Sequence, residues 1–283
     1  MGETLSLNKK VEKMLLYPNC KINLGLNVLR KRSDGYHDLE TLFYPVNATE
    51  ALLIEKSDSF SFKVEGIAIS GTIEENLCVR AWRLMAELYD LPAVSMTLFK
   101  YLPMGAGLGG GSADGAFVFR GVNQLFNLGL TDEQLALLAS QIGSDCPFFI
   151  YNKPMLATGR GDLLEPVDLS LSQYYIRLIK PSFGISTKEA YDGIIPNDKN
   201  SLSIREIIDY PIEQWQELLK NDFESHLSRK YPELEVIKTQ LKSQGAVFTA
   251  MSGSGSTLFG LFKEVPPHYF VKPGYWCYTG PLM

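Results

Sequence analysis

Five glycines fall within the seven residues from Gly105 to Gly111, between a predicted apolar strand and a predicted apolar helix that starts near Ser112. Because glycine has no Cβ, the backbone N–H groups of such a loop can approach phosphate oxygens closely. The start of the helix adds unpaired N–H groups and the positive end of the helix dipole. The loop therefore predicts a site for several linked phosphates, and a tight loop that serves only backbone packing is the alternative.

The glycine loop differs from two common phosphate-binding motifs. It does not close with the Gly-Lys-Ser/Thr of a Walker A loop, and it lacks the βαβ context of a dinucleotide-binding Gly-x-Gly-x-x-Gly. Asp114 follows in the first turn of the helix, where its carboxylate would repel a phosphate if it faced the loop. We expect the side chain of Asp114 to face away.

A carboxylate and a lysine are candidates for the chemistry at such a site. Asp145 lies in the segment 143–149, which we interpret as a helix end followed by an apolar strand. A carboxylate there can accept the proton of a hydroxyl group that receives a phosphoryl group. Lys21 and Asn23 share one face of an early strand, where the lysine can offset negative charge. The ordinary alternatives are a turn aspartate and a solvent-exposed lysine.

Two further segments contain residues that suit nucleotide recognition. Asp34 and Gly35 predict a turn, and Tyr36 and His37 then supply a ring that can stack on a planar base and a hydrogen-bonding edge. A hairpin with an incidental aromatic residue is the alternative. The loop 252–256 reads Ser-Gly-Ser-Gly-Ser between two apolar β runs, so we interpret it as a tight loop near an anionic ligand.

Hydrophobic periodicity predicts strands and helices that do not alternate regularly, which is typical of an α+β fold. Residues 22–28 alternate in the manner of a half-buried strand. Further extended runs are predicted at 39–46, 51–64, 94–99, 147–165, 174–180, 246–251 and 257–263. Helices are predicted at 75–89, 112–127, from 131 onward behind a capping box of Thr131 and Gln134, and at 187–192, 201–208, 212–220 and 232–243.

The bulk properties exclude several classes of protein. A net charge of −5 offers no basic excess for a nucleic-acid backbone, and we expect no nucleic-acid partner. The four cysteines and three histidines are scattered, which favours free thiols in a reducing compartment and argues against a metal centre. We find no membrane-length apolar run and no signal peptide, and Met1, Gly2 and Ser6 fit only a loose myristoylation pattern. We expect a cytoplasmic protein with no membrane partner.

In this order along the chain, the segments resemble the GHMP kinase superfamily over almost the whole sequence. The resemblance is carried by residues 21–24, 32–39, 41–43, 75–77, 103–112, 143–149 and 252–256. It implies an α+β, two-domain GHMP kinase fold. The N-terminal domain (1–163) would resemble domain 2 of ribosomal protein S5 and carry the ATP loop and catalytic residues, and the C-terminal domain (164–283) would be ferredoxin-like.

The segments at Tyr36 and Asp145 indicate the member that uses ATP to phosphorylate the C2 hydroxyl of a methylerythritol unit carrying a cytidine diphosphate group, in non-mevalonate isoprenoid synthesis. By this resemblance Asp145 is the catalytic base, with Lys21 beside it. The substrate-binding residues would be Asn23 on the acceptor unit, Tyr36 and Tyr191 around the cytosine ring, His37 on its edge and Phe43 in the pocket wall. The protein would be a monomer or a weak homodimer.

ATP, the co-substrate, would be held by residues on and near the glycine loop. These are Asn76, Lys100, Pro103, Met104, Gly105, Ala106, Gly107, Leu108, Gly109, Gly110, Gly111, Ser112 and Ala113. Ala113 stands where the family more often has serine, which removes one possible hydroxyl contact. The sequence has no evident second acidic ligand for Mg²⁺, so we expect the ion to arrive with ATP and to be held by phosphate oxygens and Ser112.

Two other interpretations stay open. Another GHMP kinase, acting on homoserine, a sugar or a mevalonate-type acid, would leave Tyr36 and His37 without a base to bind. A nucleotide-binding protein without turnover would have no use for both Lys21 and Asp145.

Overall fold

A computed structural model describes residues 12–197 and 202–283. The strands in this part are β1 Lys13–Leu16, β2 Asn19–Lys31, β3 His37–Thr49, β4 Ala51–Lys56, β5 Ser61–Gly66, β6 Val94–Lys100, β7 Met155–Thr158, β8 Leu163–Pro166, β9 Tyr175–Lys180, β10 Phe248–Met251, β11 Leu258–Phe262 and β12 Trp276–Pro281. The helices are α1 Leu77–Tyr89, α2 Gly110–Leu125, α3 Asp132–Ser140, α4 Cys146–Tyr151, α5 Thr187–Asp192, α6 Ile204–Ile207, α7 Ile212–Leu218, α8 Glu224–Lys230 and α9 Glu233–Ser243. The myristoylation pattern and residue 201 of the predicted helix 201–208 lie outside the described residues.

Within the described ranges the strands form three four-stranded sheets. Their orders are β1-β4-β6-β5, β2-β3-β7-β8 and β10-β11-β9-β12. The third sheet is antiparallel throughout, with β9 and β10 connected by helices. This arrangement follows a ferredoxin-like β-α-β-β-α-β pattern, except that residues 263–275 contain neither helix nor strand in place of the second helix. The mixed layers confirm the predicted α+β class.

Two large apolar cores connect the layers. The first lies among β4, β6 and helices α1 to α4, with Trp82, Phe119 and Phe148 among its members. The second joins Ile22 and Leu24 of β2 to residues of the C-terminal sheet, such as Leu178 and Phe248. Because the second core includes residues from both halves of the chain, it fixes β2 against the C-terminal sheet. This contact is what brings the loop 252–256 close to β2.

Strand β2 differs from the half-buried strand that its alternation predicts. Its apolar side chains pack into the second core as expected, but Lys21 and Asn23 on the other face are buried too. The glycine loop and the loop 252–256 both contact this polar face. Alternation therefore identified the two faces correctly, and the solvent expected on one of them is replaced by protein.

The segment after Asp145 is the clearest error of the predicted elements. Residues 146–151 form the short helix α4 rather than an apolar strand, with Pro147 in its first turn, where proline suits a helix. The segment is apolar because all but its last residue are buried, and a short apolar run does not distinguish a strand from a buried helix. Sequence reasoning also missed β1, β12 and α8.

The remaining predicted elements agree with the structure to within a few residues, and the capping box before α3 is confirmed. The side chain of Thr131 accepts a hydrogen bond from Gln134 N (3.3 Å), and Gln134 Oε1 accepts one from Thr131 N (2.9 Å). The division at 163/164 stays a prediction. Strand β8, Leu163–Pro166, spans it while pairing with β7 in the second sheet.

Candidate active site

The glycine loop exposes its backbone and buries its side chains. Gly105, Gly107 and Gly109 have positive φ angles of 59°, 76° and 70°, whereas the side chains of Ala106 and Leu108 between them are buried. At Gly107 a side chain is impossible, because a Cβ atom would lie 2.0 Å from the carbonyl oxygen of Ser252. The loop can therefore contact a ligand through backbone groups, as a phosphate cradle requires.

Helix α2 begins directly behind this loop. Its N-cap is Gly109, and no side chain caps the helix, so the N–H groups of its first turn are left for other partners. Ser112 lines the cleft in front of the helix. Ala113 is fully buried, so its predicted contact with ATP is limited to its backbone, and its N–H already donates to Gly109 O (2.9 Å).

Lys21 points from β2 toward the glycine loop. Its ammonium group donates to Asn23 Oδ1 (2.5 Å) and Gly107 O (3.2 Å), and it lies 4.9 Å from the centre of the Phe43 ring. Its backbone N–H donates to Leu108 O (3.0 Å), so strand and loop are held together. Burial lowers the pKa of Lys21, and the negative charge of Asp145 opposes this effect.

Asp145 occupies the N-cap position of α4, but its side chain does not cap that helix. The carboxylate oxygen Oδ2 lies 3.9 Å from Lys21 Nζ, and one third of the side chain is exposed. Among the described residues, the Asp145 carboxylate forms this ion pair and no hydrogen bond. It is therefore available to accept a proton from a ligand in the cleft, with a cation beside it.

The loop 252–256 packs against both of these parts. Ser252 Oγ donates to Gly107 O (2.8 Å) and accepts from Asn23 N (3.2 Å). The N–H of Thr257, just after the loop, donates to Ala106 O (3.2 Å). The two glycine-containing loops therefore form one wall, a contact that the sequence analysis did not predict.

The aromatic residues near the opposite end of the cleft form two separate contacts. His37 stacks on Tyr191 of α5, with ring centres 4.7 Å apart and an interplanar angle of 19°. Tyr36 is well exposed, and its ring lies 5.2 Å from the guanidinium carbon of Arg160. The predicted pair of Tyr36 and Tyr191 does not face one another directly, because His37 occupies one face of Tyr191 and Arg160 lies over Tyr36.

Tyr191 is close enough to Asp145 for the carboxylate charge to affect its pKa. Its pKa is raised by burial and, second, by the negative charge of Asp145. The pKa of His37 is lowered by burial and by the nearby positive charge of Lys31. His37 is therefore neutral at neutral pH, so one of its ring nitrogens can accept a hydrogen bond.

Most of these parts surround one open cavity of about 590 Å³, whose lining does not include Tyr36 or His37. The predicted residues that line it are Lys21, Gly105, Gly107, Gly109, Ser112, Asp145 and Tyr191. Asn23 and Phe43 lie beneath Lys21 and are buried. Arg160 and Phe223 also line the cavity, and sequence reasoning missed both. The isolated arginine between Gly159 and Gly161 was a signal for an exposed turn, whereas nothing in the sequence marked Phe223.

Lys100 is not part of this cavity. Its side chain is fully buried, and its ammonium group donates to Glu50 Oε1 (2.6 Å) and Asp114 Oδ2 (2.7 Å). Asp114 thus faces Lys100 rather than the phosphate cradle. The predicted direct contact of Lys100 with ATP does not agree with this burial, because both its charge and its hydrogen bonds are used inside the protein.

Two carboxylic acids, Glu50 and Asp114, are paired with the single ammonium group of Lys100. Burial and the negative charge of Asp114 raise the pKa of Glu50 to about 8. Glu50 Oε2 and Asp114 Oδ1 are buried with no hydrogen-bond partner in the described structure. A proton held by Glu50 and donated to Asp114 satisfies both atoms, which leaves one carboxylate opposite one ammonium group.

Two smaller cavities share Asn76, and one of them reaches the glycine loop. One, of about 380 Å³, is lined by Asn76 and apolar residues of the segment 66–73. The second, of about 150 Å³, lies between Asn76, Met104 and Gly111. Asn76 Oδ1 also caps α1 by accepting from Cys78 N (2.9 Å). The larger cavity is mostly apolar and suits a flat base, whereas the carboxylates Glu75 and Asp114 also line the smaller one. Sequence reasoning missed the segment 66–73.

Within the described ranges, no three His, Cys, Asp or Glu side chains group together in a way that could hold a metal ion. The donors at the cradle are backbone groups, the Ser112 hydroxyl and the Asp145 carboxylate. Mg²⁺ usually keeps several waters and binds through one or two protein ligands plus phosphates. Ser112 and Asp145 fit that pattern for an ion that enters with a nucleotide.

Comparison with known proteins agrees with this geometry. The family model for the GHMP kinases N terminal domain matches residues 76–153, and that for the GHMP kinases C terminal domain matches residues 207–267. A relative from Parabacteroides distasonis is 47% identical over 256 residues, covering 90% of this chain and 94% of the relative. A more distant relative from Salinibacter ruber is 36% identical, covering 87% and 88%.

The same fold occurs in solved structures. One crystal structure superimposes with a TM-score of 0.76 and 32% identity, covering 88% of this chain and 90% of that one. A mevalonate kinase from Methanococcus jannaschii has a TM-score of 0.70 at 13% identity, covering 95% and 98%, which shows a common fold alone.

The chain therefore belongs to the GHMP kinase family, and it is an ATP-dependent kinase. Both relatives above are named 4-diphosphocytidyl-2-C-methyl-D-erythritol kinase. The crystal structure at 32% identity is that of a 4-(cytidine 5'-diphospho)-2C-methyl-D-erythritol kinase. In the described part of this chain, every helix is too short or too polar to cross a lipid bilayer.

Proposed function

We propose that the protein transfers the γ-phosphoryl group of ATP to the C2 hydroxyl of 4-diphosphocytidyl-2-C-methyl-D-erythritol, in non-mevalonate isoprenoid precursor synthesis. The observation that carries the proposal is the 3.9 Å pair of Lys21 and Asp145, which lies in the cleft that the glycine loop and Tyr191 also line. The names of the curated relatives, at 36–47% identity, support the same substrate.

The phosphate donor binds on the glycine loop. Backbone N–H groups of the loop and of the first turn of α2 hold the phosphates, and Mg²⁺ enters with them beside Ser112. The adenine base occupies the mostly apolar cavity that Asn76 and the segment 66–73 line. In this arrangement Lys100 supports the start of α2 from behind instead of contacting the nucleotide.

The acceptor hydroxyl lies between Lys21 and Asp145. Asp145 takes its proton, and Lys21 stabilises the negative charge that develops as the phosphoryl group moves. Phosphoryl transfer needs mainly alignment and charge stabilisation, which this pair and the loop supply. Asn23 orients Lys21 through its 2.5 Å hydrogen bond.

The cytosine ring enters between the aromatic side chains. For it to stack on both Tyr36 and Tyr191, it must displace the Arg160 guanidinium from Tyr36 and slide His37 to the edge of the base. The free thiols of the chain suit a reducing compartment, so we place the enzyme in the cytoplasm. We also expect a monomer or a weak homodimer, which sedimentation can determine.

A coupled ADP-release assay tests the substrate. Purified protein with Mg²⁺ and ATP should release ADP rapidly with the cytidyl substrate and not with homoserine, galactose or mevalonate. Release with one of these other alcohols instead would keep the kinase and overturn the acceptor assignment.

Tyr36→Ala tests the aromatic wall in the same assay. Losing a stacked base costs about 1–3 kcal/mol, so KM for the cytidyl substrate should rise roughly 5- to 150-fold while KM for ATP changes little. Leu15→Ala, a change of another exposed apolar side chain, on β1, is the control. Equal changes in both KM values would argue against base stacking.

A further inference from the structure

The turn between α7 and α8 contacts more than one wall of the cleft. Three of its residues, Asn221, Asp222 and Phe223, and the first residue of α8, Glu224, are together called the 221–224 turn below. Three of the four side chains bond to backbone groups of distant segments, and the fourth lines the cleft. Nothing in the sequence pattern marked this turn as part of the site.

Asn221 and Glu224 hold the entrance of the loop 252–256. Asn221 Nδ2 donates to both Met251 O and Gly253 O (2.8 Å each), and its Oδ1 accepts from Phe223 N (3.0 Å). Glu224 Oε1 accepts from Met251 N (2.6 Å). Asn221 is 4% exposed, so none of these bonds is easily replaced by water.

The same turn is joined to β2, the strand that carries Lys21. Leu26 N donates to the carbonyl oxygen of Lys220 (2.8 Å), and Asp222 N donates to Leu26 O (2.9 Å). The carboxylate of Asp222 accepts from Val28 N (2.7 Å). These bonds lie next to a register shift in the pairing of β2 with β3, so the turn replaces part of an interrupted ladder.

Phe223 joins the turn to the aromatic residue Tyr191. It is buried at 2% exposure, lines the cleft, and meets the ring of Tyr191 edge-on at 4.9 Å. An edge-to-face contact of this kind restricts the plane of the Tyr191 ring. The turn therefore touches the loop 252–256, β2 and Tyr191 together.

We infer that the 221–224 turn is a positioning unit for phosphoryl transfer, which holds the loop 252–256 and Tyr191 in place relative to Lys21. The inference rests on the proposed function. The loop 252–256 contacts the phosphate cradle through the 2.8 Å bond from Ser252 to Gly107, so its displacement moves the cradle relative to Lys21. A shift of about 1 Å in such an arrangement can lower turnover about 100-fold.

Asn221→Ala tests the turn, with Asn123→Ala as the matched control. Asn123 also joins backbone groups, since it donates to Leu130 O and accepts from Leu130 N (3.0 Å each), but it lies near the far end of α2. Both variants should lower Tm. Only Asn221→Ala should lower kcat, by about 10- to 100-fold, with KM for ATP close to that of wild type. The inference is overturned if kcat falls in proportion to Tm in both variants. It is also overturned if kcat falls in neither variant.

Hydrogen–deuterium exchange supplies a readout that needs no substrate. The amides of residues 252–257 should exchange faster in Asn221→Ala and at the wild-type rate in Asn123→Ala. Unchanged exchange in Asn221→Ala overturns the inference, whatever alcohol the enzyme phosphorylates. Inactivity of the wild-type protein toward the cytidyl substrate, in contrast, would overturn only the proposed function.

A second pair of variants keeps the test decisive if Asn221→Ala does not fold. Glu224→Gln retains an oxygen that accepts from Met251 N, whereas Glu224→Ala removes it. Glu224→Gln should keep most of the wild-type kcat, and Glu224→Ala should have a much lower kcat. Equal kcat values for the two variants would contradict a positioning role.

Discussion

Two lysines lie on opposite sides of the glycine loop, and their surroundings differ. Lys21 is buried but has its carboxylate partner, Asp145, at 3.9 Å and one third exposed. Lys100 is buried with two carboxyl groups in direct contact, at 2.6 and 2.7 Å, and all three groups are almost completely enclosed. The pKa of Lys21 is lowered because burial dominates. Burial also acts to lower the pKa of Lys100, but the charge of Asp114 and the hydrogen bonds to Asp114 and Glu50 outweigh it, so that pKa is raised.

The difference separates a lysine that can interact with a ligand from a lysine that stabilises the fold. An ammonium group with an incomplete set of partners can interact with charge that develops on a ligand. A fully paired one has nothing left to offer, but removing it leaves buried carboxyl groups without a partner. Lys21 should therefore matter for turnover and Lys100 for stability, and four substitutions test that division.

Asp145→Ala should have the largest effect. Without the base, kcat should fall by about 10²–10⁴, while the Kd for ATP, measured by calorimetry, stays nearly unchanged. Asp132→Ala, at an exposed aspartate in the first turn of α3, is the control and should keep full activity. An Asp145→Ala enzyme with wild-type turnover would remove this residue from the mechanism.

Lys100→Met should mainly destabilise the protein. Removing one partner of a buried ionic group costs about 3–5 kcal/mol, measured as the free energy of unfolding in urea. Any protein that remains folded should retain measurable turnover with saturating substrates. A stable Lys100→Met protein that has lost turnover would reverse the roles of the two lysines.

Lys21→Met should give the opposite result. Losing charge stabilisation in the transition state should lower kcat by about 10²–10³. The free energy of unfolding should change by less than about 1.5 kcal/mol, because the buried charge that is removed was only partly compensated. If Lys21→Met destabilises the protein as much as Lys100→Met does, the distinction between the two sites fails.

Glu50→Gln should have the smallest effect, visible only as a dependence on pH. The pKa of Glu50 is about 8 in the folded protein and near 4.5 in the unfolded chain, so its contribution to stability is complete below pH 4.5. That contribution is lost as the pH rises through 8. Thermal unfolding should show that the free energy of unfolding of Glu50→Gln rises relative to that of wild type from pH 5 to pH 9, by about 1 kcal/mol or more. A constant difference across that range would show that Glu50 does not titrate as inferred.

Sequence reasoning was most successful where the signal is local. The glycine loop, the Asp34–Gly35 turn and the capping box at Thr131 depend on conformations that a few adjacent residues set by themselves. It was least successful for α4 and the 221–224 turn, where neighbours in sequence carry no distinctive pattern. The 221–224 turn depends on bonds to β2 and the loop 252–256, and α4 depends on packing in the first core, where it contacts α2.

Residue types and order along the chain were sufficient to indicate the kinase family and to select the glycine loop, Lys21 and Asp145 as candidate site residues. The sequence did not distinguish the environments of Lys21 and Lys100, since a lysine on a strand looks the same in both places. Their different surroundings arise from which distant side chains the fold brings beside each ammonium group. Burial and ion pairing are properties of the folded chain, because desolvation and Coulomb energy depend on distances between atoms and not on positions in the sequence.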